Sequence, residues 1–78
     1  MESKYSTKEI QQFLQYEKVR LSGQYNMITQ SGEAMKEARL NEKQYLFIVH
    51  KYTFMKPEIE RLYGSVETAI ELFDKGEI

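Results

Sequence analysis

The sequence predicts an all-α chain, a small bundle of three to four helices, and three observations carry that prediction. One proline and four glycines in 78 residues leave little punctuation, which favours long helices. Apolar residues recur at helical spacing, and no stretch alternates as a half-buried strand does. From Tyr45 onward the spacing alternates three and four without a lapse, through Ile48, Tyr52, Met55, Ile59, Leu62, Val66, Ala69 and Phe73. That is a heptad seam.

A first helix is expected over about 7–22. Ser6 or Thr7 offers a hydroxyl to an otherwise unpaired amide of the first turn. Ile10, Phe13, Leu14 and Leu21 form its apolar stripe, which Glu17 interrupts, with Val19 to one side. Gly23 suits the left-handed stop of a helix C-terminus, and Lys18 and Arg20 suit the negative end of the helix dipole. The following "QYNMIT" is too apolar for a free linker, so Tyr25, Met27 and Ile28 should fold back on the core, with Asn26 bonding local backbone at the corner.

Thr29 or Ser31 then caps a second helix over about 30–40, with Ala34, Met35, Ala38 and Leu40 as its apolar positions. Asn41 either caps a third helix over 42–56 or lies within a second helix that runs straight on. Pro57 lacks an amide hydrogen and presses on the carbonyl of Thr53, a cost of ~3 kcal/mol in a helix interior. A kink or break is expected there, leaving a short piece over 57–63. Gly64-Ser65 reads as a stop and a fresh cap for a last helix over 65–75.

A chain of this size is one domain, and such a core rarely supplies more than ~3–5 kcal/mol. With no cysteine, disulfides and thiolate metal sites are excluded. The polar start MESKYSTKE has no signal-peptide h-region, and the longest apolar run is Tyr45–Val49. A soluble protein of the host-cell cytoplasm, with no membrane partner, is the expectation. Charge is uneven: residues 1–56 carry nine Lys/Arg against six Asp/Glu, and residues 57–78 carry two against six. Such asymmetry could orient a partner or another copy, although an ordinary mixed surface accounts for it too.

Arg20-x-Ser22-Gly23-x-x-Asn26-Met27 resembles an R-x-S-G-x-x-N-M signature of small, uncharacterised phage-encoded proteins, in which it follows a short opening helix. The looser remainder comprises Ala34 and Ala38, then Tyr45, Val49, Lys51-Tyr52, Lys56 and Leu62-Tyr63, so that the resemblance spans about residues 13–63. Thr29 departs from it, standing where an acidic residue often follows, and the alanine spacing is shifted by one. The resemblance implies a phage or prophage accessory gene. It transfers no activity and no functional residues.

No constellation points to an enzyme. His50, the sole histidine, has no nucleophile or orienting partner in the pattern and reads as a surface residue. Glu67, Glu71 and Asp74 share a helical face, but a cation cage needs further ligands and a shaped loop, so the solvated back of a helix is the simpler reading. No cofactor or metal is implied.

Two binding readings compete. Lys36, Arg39 and Lys43 would line up as a basic stripe if residues 31–55 were one helix, which suits a nucleic-acid-binding regulator. Ala34 and Ala38 before a turn give some helix-turn-helix spacing, but Glu33 and Glu37 occupy positions that such a motif buries. The favoured reading rests on Phe47 and Phe54, seven apart and off the heptad seam, with Leu46 beside them. Helix 42–56 is then apolar on more than one face. Either the first helix covers the second stripe, or Phe47, Phe54, Tyr52, Leu46 and Lys51 form a protein interface. The expected partner is a host or defence protein, modulated or inhibited by the contact, or another copy of the chain in a homo-oligomer.

Overall fold

The computed structural model describes residues 4–78, and these form four helices: α1 (Thr7–Ser22), α2 (Ser31–Ala38), α3 (Glu42–Tyr63) and α4 (Val66–Asp74). No strand occurs among the described residues. The helix α1 packs against all three others, and α3 also packs against α4. The chain is a small all-α bundle built around α1 and α3.

Each helix begins where local chemistry allows. The Ser6 hydroxyl accepts the Glu9 amide while the Glu9 carboxylate accepts the Ser6 amide, a reciprocal capping box. Asn41 and Gln44 repeat the arrangement at the start of α3, so the second helix does not run on into the third. Ser65 caps α4 by accepting the Thr68 amide. Neither Thr29 nor Ser31 caps α2: Gln30 stands at that position without a side-chain cap, and Ser31 is already helical.

The heptad seam is the inner face. Tyr45, Ile48, Met55, Ile59, Val66 and Ala69 are buried, and Tyr52, Leu62 and Phe73 pack against them partly covered. Phe13 and Leu14 of α1 are fully enclosed among them. Burying side chains of this size is worth about 1.5–3 kcal/mol each, which is why so short a chain can fold at all.

Three expectations are corrected. Pro57 does not divide 42–56 from 57–63; α3 runs through it as one helix. Pro57 and Thr53 both face solvent, so the ring and the carbonyl it cannot satisfy lie where water has access, while Met55, Glu58 and Ile59 hold the inner side closed. Leu21 is exposed and Val19 is buried, so the last turns of α1 turn the Val19 side inward and leave the end of the predicted stripe to solvent. Ile28 points outward, 87% exposed, while Tyr25 and Met27 do fold back. Asn26 explains this corner: its side-chain oxygen accepts the amides of Ile28 and Thr29, and the Met27 carbonyl accepts the Tyr45 hydroxyl.

The second helix also stops short of the expected Leu40. The Leu40 amide donates back to the Met35 carbonyl and the Arg39 amide to the Lys36 carbonyl, the paired bonds of a Schellman stop. Arg39 takes the left-handed conformation there, at φ 60°, the one non-glycine residue with positive φ among those described.

Candidate protein-binding face

Opposite the seam, α3 turns Leu46, Val49, His50, Thr53, Phe54 and Pro57 outward. Leu46 is 46% exposed and Phe54 66%. The Lys51 ammonium lies 5.9 Å from the Phe54 ring centroid, within cation–π range. Leu46 and Phe54 thus stand on the accessible side of α3 with Lys51 beside Phe54, and Val49, which the sequence pattern does not mark out, is exposed at the opposite edge. The signal for Val49 was present: it lies three residues after Leu46 and about 100° round the helix from Ile48, off the buried seam.

Two other expected interface residues sit differently. Phe47 is half-buried against the core and forms one wall of a shallow groove of about 370 Å³ between the starts of α1 and α3, with Ser6, Lys8, Glu9, Gln12, Lys43 and Gln44. The first helix therefore covers one of the two off-seam phenylalanines and leaves Phe54 bare.

Tyr52 faces inward. Its ring stacks on Phe13 at 5.2 Å between centroids and meets Tyr16 edge-on, and Tyr16 in turn meets Tyr45. The Tyr52 hydroxyl donates to the carboxylate of Glu17, which also accepts from Nε of Arg20. Glu17, read from the sequence as an interruption, is only 1% exposed. Burial, then the bond to Glu17, pushes the Tyr52 hydroxyl up to about 12, and burial raises Tyr16 and Tyr45 as well. The excess of tyrosines thus serves largely to close the α1–α3 seam around a carboxylate.

A second buried carboxylate, Glu58, takes both Nε and Nη2 of Arg61 and the backbone amide of Lys4, which ties the chain start to α3. Both glutamates have an arginine three residues later. That spacing was the available sign that they need not face water.

The remaining candidates are not gathered. Lys36, Arg39 and Lys43 are exposed, but α2 ends at Ala38 and the chain reverses through Arg39 before α3 begins, so the continuous 31–55 helix required for one basic stripe is absent. His50 faces solvent on α3. Glu67, Glu71 and Asp74 are exposed, and Asp74 pairs with Lys18 at 2.6 Å. Among the described residues no group of acids and histidines is placed to hold a metal, and no helix is long and apolar enough to cross a membrane. No family model, curated protein or solved structure matches the chain.

Proposed function

We propose that this chain is a small phage-type accessory protein that works by binding another protein, a host or defence protein, and modulates or inhibits it through the contact. The observation that carries this reading is the outer face of α3, where Leu46, Val49 and Phe54 stand exposed along successive turns of the longest helix. Exposed aromatic and aliphatic groups grouped on one element are the usual mark of a binding surface. A helix tied to α1 by Tyr52–Glu17 and to the segment before α1 by the Lys4 amide on Glu58 presents them with little ordering cost.

Capture from a host lysate with the wild-type chain and with Phe54→Asp and Leu46→Asp variants tests the reading. Partners should be lost from both variants while helical circular dichroism is unchanged. Retention of every partner by both would overturn it. So would nucleic-acid binding that weakens steeply with salt and disappears on reversing Lys36, Arg39 and Lys43. Self-association across the same face is another form of the reading, checked by solution mass at high protein concentration.

A further inference from the structure

We infer that the occupant of the α3 outer face is an acidic, amphipathic helical segment of the partner, docked with its apolar side on Leu46, Val49 and Phe54 and its carboxylates on Lys43, Lys51 and Lys56. This rests on the protein-binding reading above. The argument begins with a gap in the sequence: between Glu42 and Glu58 there is no acidic residue, while Lys43, Lys51 and Lys56 all fall within that interval. All three lysines are exposed and none forms an ion pair among the described residues. By contrast Lys18, Arg20 and Arg61 are each matched to a carboxylate of this chain. The apolar strip is therefore bordered by positive charge that no carboxylate neutralises among the described residues.

The groove beside Phe47 extends the same character. Lys8 joins Lys43 on its rim, and its one carboxylate, Glu9, is engaged in capping α1. In the inferred complex this groove, walled by Gln12 and Phe47, would take an apolar side chain of the docked segment, with its acids toward Lys8 and Lys43. Helix-in-groove recognition requires this combination of an apolar track and complementary charge.

Charge also decides against a second copy. Pairing this stretch of α3 with itself about a two-fold axis would bring six lysines into one contact with no carboxylate from within the same interval. The acidic α4 of another copy is no substitute, because its apolar side, Val66, Ala69 and Phe73, already packs into its own bundle and leaves only its charged side to offer.

A yeast-displayed library of random peptides of about 16 residues, long enough for four helical turns, tests the inference when panned against the full chain. Selected sequences should carry Asp and Glu interspersed with Leu, Ile or Phe at three-and-four spacing. As synthetic peptides they should bind at least about tenfold more weakly, by fluorescence anisotropy, to the Lys43→Glu/Lys51→Glu/Lys56→Glu variant, and also to Phe54→Asp. Neutral or basic selected peptides that lose binding to Phe54→Asp would overturn the acidic partner and leave the protein-binding face standing. Selected peptides indifferent to both variants, or no selection at all, would overturn both. Sedimentation with phosphatidylserine vesicles, abolished by the same lysine reversals and accompanied by no peptide selection, would replace the acidic helix with an anionic lipid surface.

Discussion

The hydroxyl of Tyr52 on α3 donates to the carboxylate of Glu17 on α1, joining positions 35 residues apart through a site that is almost wholly enclosed. An enclosed carboxylate is tolerated only while its lone pairs are occupied, and Arg20 supplies the other donor. Tyr52→Phe keeps the ring on Phe13 and removes one donor. Hydrogen bonds to charged groups are worth about 1.5–3 kcal/mol, so the variant should lose that much of a small total in urea denaturation. A loss under about 0.5 kcal/mol would show that the carboxylate does not depend on the phenol.

The same hydroxyl makes stability sensitive to alkali. Its folded pKa, pushed up to about 12, lies above the ordinary 10.0, so below 10 both folded and unfolded chains hold the proton and its contribution is intact. As pH rises from 10 through about 12 the unfolded chain releases the proton first, and stability falls. Tyr16 and Tyr45 are shifted in the same direction and add to the fall. Denaturant midpoints measured from pH 9 to 11 should decline, and the Tyr52→Phe variant should decline less steeply over that window. A parallel decline would assign the effect elsewhere.

Arg39→Gly should stabilise the chain. A side chain at φ 60° crowds its own backbone, and glycine removes that strain, for a net gain of about 0.5–1 kcal/mol after its own unfolded-state entropy. Thermal melts of Arg39→Gly and Arg39→Ala separate the conformational effect from loss of the guanidinium: only the glycine variant should rise.

Pro57→Ala should stabilise too. Alanine restores an amide for the Thr53 carbonyl inside a continuous helix and removes the ring, and helix-interior scales set the ceiling at about 3 kcal/mol. Because both residues face solvent, about 1–2 kcal/mol is the expected gain in denaturation midpoint experiments. A lower midpoint would mean that the bundle needs the proline's shape.

Two phenylalanines should respond in opposite ways. Phe13→Ala opens a cavity at the centre and should cost about 3–5 kcal/mol, enough to unfold the chain. Phe54→Asp, on the outer face, should change stability by less than about 0.5 kcal/mol. Circular dichroism of the two variants at equal concentration distinguishes core from surface directly.

Much of this architecture is legible from local chemistry. The seam from Tyr45 to Phe73 reads as an inner face because its period is set by helix geometry alone, and Ser6, Asn41 and Ser65 read as caps because their side chains act within three residues. What escaped was decided at long range. Pro57 looks like a break until its outward orientation is known, and Glu17 looks like a flaw until Tyr52 arrives from another helix. Leu21 and Ile28 have the right chemistry for a core and no neighbour to complete it. On the outer side of α3, Leu46, Phe54 and Lys51 are exposed as their positions off the seam predict, whereas the division between a half-covered Phe47 and a bare Phe54 depends on where α1 begins.

The packing of α2 has a consequence for how the molecule comes apart. It leans chiefly on α1, and the loop before it is held by the Tyr45 hydroxyl on the Met27 carbonyl. It can therefore detach with that loop while α1, α3 and α4 stay assembled, as a unit that opens below the global unfolding free energy. Amide protons of residues 31–38 should exchange with deuterium sooner than those around Ile48 and Ile59, so the protein would breathe from one corner while the helix that presents Phe54 holds its shape.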